Sequence, residues 1–143
     1  MPRLEFSHVH SYASPRDEIS LPVVLKSGGA SLDLLAFVDT GSSHCLFQRS
    51  CCEVLGLDLE SGEPKTFRTA NGRVETFGHV VQIEMSHLTI ESMVYFFVDA
   101  GIQKNLLGRV GWLDRIRLGL IGSRPAALSG AVWFRGRVSA TSS

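Results

Sequence analysis

Short apolar runs separated by turn residues dominate the chain, and they are rich in β-branched and aromatic side chains, the texture of strands. Ile19 to Lys26 reads as a strand ended by the turn signal Ser27-Gly28-Gly29. Leu32 to Val38 is nearly continuous in apolar residues and reads as a strand buried on both faces. It stops at a polar loop, Asp39-Thr40-Gly41-Ser42-Ser43, and Cys45-Leu46-Phe47 resumes extended structure. Arg49 to Leu57 suits a short helix with Gly56 near its end. Thr66 to Thr69 and Val74 to Met85 flank Ala70-Asn71-Gly72-Arg73, and Asn-Gly between two strand-like runs predicts a hairpin whose two turn positions both take positive φ.

Leu88 to Asp99 is a further strand, followed by a loop over Gly101 to Lys104 and by Asn105-Leu106-Leu107-Gly108. Arg109 to Arg117 has helical spacing, with Val110, Leu113 and Ile116 on one face. Ala131-Val132-Trp133-Phe134 suits one more strand, and the Ser-rich last residues read as frayed. The prediction is an all-β fold with a closed, barrel-like core and one or two short helices, near Arg109 and Arg49. No internal repeat is present.

At 143 residues the chain has the size of one domain, and 44% apolar content is enough for a core. Lys plus Arg balances Asp plus Glu, 14 against 14, but unevenly. Residues 1–104 carry 8 basic and 13 acidic side chains, whereas residues 105–143 carry six arginines against Asp114 alone. No aromatic interleaving accompanies those arginines, so nucleic acid is not an expected partner and acidic protein surface is. No apolar run has the length of a membrane span, and Met1 to Phe6 has no signal-peptide character. Cys45, Cys51 and Cys52 are too few and too close for a disulfide framework, and reduced thiols fit a cytoplasmic setting.

Asp39 is the candidate for chemistry. A carboxylate at the end of the apolar segment Leu34-Leu35-Ala36-Phe37-Val38 sits at the rim of a core, where ionisation is costly unless it is paired or hydrogen-bonded. Gly41 permits close backbone approach, and the hydroxyls that follow can donate to the carboxylate; the plainer reading is a turn in which Asp39 caps the next segment. Ser42, Ser43, His44 and Cys45 invite a nucleophile reading, but His44 adjoins Ser43 and strand neighbours point to opposite faces, and Gly41-Ser42-Ser43-His44-Cys45 lacks the last glycine of a nucleophile elbow. His8 and His10 with the cysteines lack zinc-site spacing, so no metal and no cofactor is expected. Trp112 and Trp133 read as core or interface aromatics.

Phe37-Val38-Asp39-Thr40-Gly41-Ser42-Ser43 resembles the active-site loop of pepsin-like and retroviral aspartic proteases. Two further landmarks of that family follow in order: a flap hairpin, matched by Thr69-Ala70-Asn71-Gly72-Arg73, and an apolar-apolar-Gly segment leading into a short helix, matched by Asn105-Leu106-Leu107-Gly108-Arg109. The loop occurs once, so the resemblance is to the single-domain retropepsin-like group and covers residues 19–121. Residues 1–18 are then an N-terminal extension and 122–143 a C-terminal tail, either of which can supply a strand to a dimer.

The resemblance implies a role for each matched residue. Asp39 would be catalytic, one half of a dyad completed by a second copy of the chain. Thr40 would hydrogen-bond across the dimer axis, Gly41 would present backbone to the carboxylate and Ser42 would donate to Asp39. Ala70, Asn71 and Gly72 would form the flap tip, Leu107 and Gly108 would lie beneath the active-site loop, and Arg109 would make a structural ion pair. The implied activity is endopeptidase cleavage of extended peptides by water activated between two carboxylates that share a proton. The alternative is a catalytically silent retropepsin-like dimerisation or peptide-binding module.

Overall fold

The computed structural model describes residues 8–13, 19–86, 88–124 and 129–136. In chain order its elements are β1 (His8–Ala13), β2 (Ser20–Ser27), β3 (Ala30–Val38), β4 (Leu46–Phe47), α1 (Arg49–Val54), β5 (Glu63–Thr69), β6 (Gly72–Met85), β7 (Leu88–Phe97), β8 (Leu106–Leu107), β9 (Ile116–Arg124) and β10 (Ser129–Gly136). Single 3-10 turns occupy Leu59–Ser61 and Leu113–Arg115. No described helix is long and apolar enough to cross a membrane.

Seven strands form one sheet in the order β2-β3-β8-β4-β7-β6-β5. β2 pairs on its other edge with β6, Val24 to Lys26 against Gln82 to Glu84, which closes six strands into a ring. This is the all-β, barrel-like class that the sequence predicts. The ring follows from alternation: Leu21, Val23 and Leu25 of β2 point inward with Val81, Ile83 and Met85 of β6 and Val94 and Phe96 of β7. Trp112 fills the centre, fully buried, its indole Nε1–H directed at Met85 Sδ at 2.9 Å.

β3 departs from the expectation of burial on both faces. It alternates, with Ser31, Asp33 and Leu35 exposed, and Leu35 keeps half of its surface in water. The continuous apolar run misleads because Leu35 stands on the outer face of the ring, where an isolated apolar side chain is tolerated. The predicted helix over Arg109 to Arg117 is also absent. Arg109 to Trp112 make turns and a one-residue bridge, the 3-10 turn follows, and Ile116 already opens β9. Val110 is exposed while Ile116 is buried, so the helical spacing does not describe one face.

The other local predictions hold with small shifts. α1 buries Cys51 and Cys52 and ends at Gly56, whose φ of 71° suits the left-handed position after a helix. The β5–β6 hairpin pairs Thr69 with Gly72, so Ala70 and Asn71 are the loop and only Gly72, at φ 115°, has positive φ. Thr69 explains the shift: its Oγ1 accepts the Asn71 N–H at 3.2 Å and donates to the Gly72 carbonyl at 3.0 Å, holding the turn one residue early. The three cysteines are free and buried. Burial pushes the Cys45 thiol up to about 12 and the Cys52 thiol up to about 11, so both act as small apolar groups.

The first and last described strands pair. β1 pairs antiparallel with β10 from His8↔Phe134 to Ala13↔Ser129, and β10 pairs on its other edge with β9, giving a three-stranded sheet β1-β10-β9. β9 runs across the 121/122 boundary. The side chains of His8, His10 and Trp133 lie outside the described residues.

Burial separates two positions that the sequence makes look alike. Phe96→Ala, in the ring, should cost about 3–5 kcal/mol, and Leu35→Thr, on its outside, should stay within about 0.5 kcal/mol. Urea unfolding at pH 7 followed by Trp112 fluorescence checks both, and a Leu35→Thr loss comparable to that of Phe96→Ala would contradict the outward placement.

Candidate active site

The short strand β8 creates the site. It lies between β3 and β4, parallel to the first (Phe37↔Leu106, Val38↔Leu107) and antiparallel to the second (Leu46↔Leu106). Residues 39–45 therefore cross over the end of β8. The crossing is tight at Gly108, where a Cβ would fall within van der Waals overlap of the His44 and Ser42 carbonyls. A close passage of backbone over backbone requires glycine at this point. The residues after Gly108 then fix the loop: Arg109 N–H donates to Ser42 O at 2.9 Å, Val110 N–H to Ser43 O at 2.8 Å, and His44 forms a parallel bridge with Val110. Asn105 is buried behind them. Its carbonyl accepts the Phe37 N–H at 2.8 Å and its Oδ1 accepts the Gln48 N–H at 3.1 Å, tying β3 to the start of α1.

Asp39 emerges from β3 at this crossing. Its N–H donates to Leu107 O at 3.0 Å, its carbonyl accepts the Ser42 N–H at 3.1 Å, and Gly41 N–H donates to Oδ1 at 2.9 Å. The carboxylate is partly exposed, with Thr40 and Gly41 exposed beside it. Leu107 is buried beneath the loop. The Ser42 hydroxyl does not reach Asp39 as the sequence suggests; it donates to His44 O at 2.7 Å and stiffens the loop instead. The hairpin tip, Ala70, Asn71 and Gly72, is exposed at the free end of the β5–β6 arm, which projects beyond the ring because β5 pairs only with β6.

Beside this loop stands a cluster that the sequence did not reveal. Residues 40–44 are turn, bend and bridge rather than strand, so neighbouring side chains need not diverge, and Ser43 Oγ lies 2.9 Å from His44 Nδ1. The far side of the ring, Nε2, lies 3.3 Å from Lys65 Nζ. An ammonium only donates, so Nε2 is the acceptor and Nδ1 carries the proton that goes to Ser43. Burial, together with the charges of Lys65 and Arg109, holds His44 below the usual histidine range and favours this neutral form. Ser43 therefore faces a donor rather than a base, and the pair is no serine nucleophile. His44, Phe67 and Tyr95 stack edge to face with every centroid pair at 5.4 Å, and Lys65 Nζ stands 5.4 Å from both the Phe67 and Tyr95 centroids.

The profile of the aspartyl protease family matches residues 23–123. The chain belongs to the aspartyl protease family. No curated protein matches it in sequence. Among solved structures it is similar to a retropepsin-like aspartic protease from Rickettsia conorii, with TM-score 0.62, 18% identity and coverage of 90% of this chain and 99% of that one. It is also similar to the EIAV protease complexed with the inhibitor HBY-793, with TM-score 0.54, 19% identity and coverage of 68% and 88%. At these identities the likeness is one of fold.

In this aspartyl protease chain, a second expected role is missing. Arg109 makes no ion pair among the described residues. The loop it holds offers Ser42, Ser43 and His44, and the nearest acid in sequence, Asp114, accepts from Gly111 N–H at 3.0 Å and lies 3.8 Å from Arg115 Nε. Arg109 thus acts on the loop through its backbone. Lys65, Phe67 and Tyr95 had one weak sequence signal, the i, i+2 spacing of Lys65 and Phe67 on one strand face. Nothing local announces that they meet His44.

Two measurements probe the site. Gly108→Ala should destabilise the fold by about 3 kcal/mol, the upper end of overpacking costs, while Gly29→Ala, with open space around it, should be neutral in the same chemical denaturation. The second concerns pH. Because His44 binds its proton less readily folded than unfolded, the unfolded chain takes up more protons below the ordinary pKa of about 6.5. Stability should fall as pH drops through that value, and the fall should be shallower in His44→Gln; equal slopes in thermal melts from pH 7.5 to 5 would contradict the assignment.

Proposed function

We propose that the chain is an aspartic endopeptidase that acts on extended peptides as a homodimer, with Asp39 from each copy forming the dyad. The observation that carries this reading is the mounting of Asp39: a partly exposed carboxylate at the mouth of a rigid backbone crossing, with Gly41 N–H on one oxygen and a hairpin arm free to cover it. A dyad needs two such carboxylates, and Asp-Thr-Gly occurs once in the chain. Placed together, the two cannot both ionise cheaply, so one proton is shared. The ionised member takes a proton from water, the protonated member donates toward the peptide carbonyl, and a gem-diol forms without a covalent enzyme intermediate. In this reading Thr40, exposed beside Asp39, joins the two loops across the axis, and the Ala70-Asn71-Gly72 tip closes over the peptide.

A silent, peptide-binding or dimerising module is the second reading. One observation favours its peptide-binding form: both edges of β10 are already occupied by β1 and β9 of the same chain, so β10 takes no strand from a partner. In the dimer reading, the two copies join at an outer edge of that sheet. Free, buried thiols accord with a reducing compartment such as the cytoplasm.

Asp39→Asn against wild type separates the readings. A mixed peptide library is incubated from pH 4 to 7 over a hundredfold range of protein concentration. Wild type should cleave with activity rising faster than linearly in protein, and Asp39→Asn should lose at least about a thousandfold, as expected when an essential acid–base group is removed. Full activity in Asp39→Asn would overturn the catalytic assignment, and a dimeric wild type that cleaves nothing would favour the silent module.

A further inference from the structure

Among the described residues, the ammonium of Lys65 has no counter-ion. Its contacts are the Phe67 and Tyr95 rings and His44 Nε2, and among the described residues no carboxylate comes within ion-pair distance. Glu63, two residues back on β5, lies beyond that distance as well. A second cation converges on the same imidazole. The backbone of Arg109 is bonded to Ser42, its neighbour Val110 is bridged to His44, and its charge is felt at the His44 ring together with that of Lys65. Arg109 too lacks an ion-pair partner among the described residues. The His44 ring, held below the usual histidine range, supplies no balancing charge. Glu63 is felt at the Tyr95 ring but makes no ion pair with Lys65, so an ammonium seated on aromatic and imidazole surface is a site that an anion would relieve.

The location identifies the anion. His44 is five residues after Asp39 on the same loop, and Lys65 lies on β5, the first strand of the projecting arm. The cluster thus spans the space between the loop and the arm, where an extended peptide runs in the endopeptidase reading. Five residues reach at most about 17 Å, and a peptide strand advances about 3.3 Å per residue. A side chain within about five residues of the bond at Asp39 is therefore within reach of Lys65. We infer that Lys65, seated on Phe67, Tyr95 and His44 with Arg109 in the neighbouring backbone, forms a subsite for an acidic side chain, giving the protein a preference for peptides with Asp or Glu within about five residues of the bond presented to Asp39. A charge-assisted bond from an ammonium already positioned on aromatic faces supplies both attraction and geometry. The inference rests on the peptide-binding half of the proposed function and not on turnover.

The test uses the full chain carrying Asp39→Asn, so that binding is read without cleavage. Fluorescent nonapeptide pools, identical except for Glu or Gln at one scanned position, are titrated by anisotropy at low and high salt. One scanned position should bind the Glu pool at least about fivefold more tightly, a modest figure suited to a partly exposed ion pair, and added salt should narrow the gap. Adding Lys65→Met, which keeps the apolar stem, should abolish the discrimination, and adding Lys65→Glu should reverse it toward Lys-bearing peptides; thermal melts confirm that each variant is folded. Equal binding of Glu and Gln pools at every position, no binding at all, or discrimination that survives both Lys65 variants would overturn the subsite. The same pools given to wild type keep the two readings apart. Cleavage without a Glu preference removes the subsite and leaves the endopeptidase, whereas Glu-selective binding without cleavage removes the endopeptidase and leaves the subsite.

Discussion

Everything at the candidate site depends on one close passage, the backbone of residues 42–44 lying over Gly108. Two strands that are consecutive in the chain, β3 and β4, are kept apart by β8, so the segment joining them must climb over its end. A segment that crosses in this way is held from below at several points, by the Leu107 carbonyl and by the N–H groups of Arg109 and Val110. A polar loop at the surface is thereby tied down like the strands beside it. Pre-organisation of this kind is what the proposed proton transfer at Asp39 requires, because misplacement by an ångström can cost about a hundredfold in rate.

The sequence carried this arrangement unevenly, for physical reasons. Strands whose apolar residues alternate, such as β2 and β6, were legible because burial on one face of a sheet writes itself with period two. The loop was legible because a glycine-bearing polar break after an apolar run has few structural uses. Leu35 was not, since an apolar residue on the outer face of the ring is locally indistinguishable from one inside. The segment from Arg109 was misread as a helix because its apolar spacing reflects two separate demands, Val110 bridging His44 and Ile116 opening β9. Asn71 was misread because a side chain, Thr69, settled the turn. The first two failures share a cause, a deciding contact outside the window in which the pattern is sought, whereas Thr69 lies two residues from Asn71 and decides the turn through its side chain.

The cluster around His44 shows the same limit in the chemistry. Ser43 and His44 looked like an inert pair of strand neighbours; in the fold they touch, yet Lys65 from 21 residues away fixes which nitrogen holds the proton. A resemblance to a protease family identifies the carboxylate and is silent on such neighbours, because they belong to the individual chain. Electrostatics on the two sides of the loop therefore differ in character. Asp39 faces backbone donors and solvent, whereas His44 is enclosed by rings and cations.

The three-stranded sheet of chain ends carries a consequence of symmetry. With β10 sandwiched in its own chain, the outward-facing backbone of that sheet belongs to β1 and β9, two edges with different sequences. A pair of copies related by a two-fold axis must present the same edge to each other, β1 to β1 or β9 to β9, running antiparallel, and such a pair closes after two members. Joining β1 of one copy to β9 of the next leaves an unlike edge free at each end, and repetition lengthens the assembly into a fibre. The choice between like and unlike edges thus separates a finite two-chain particle from an open-ended polymer.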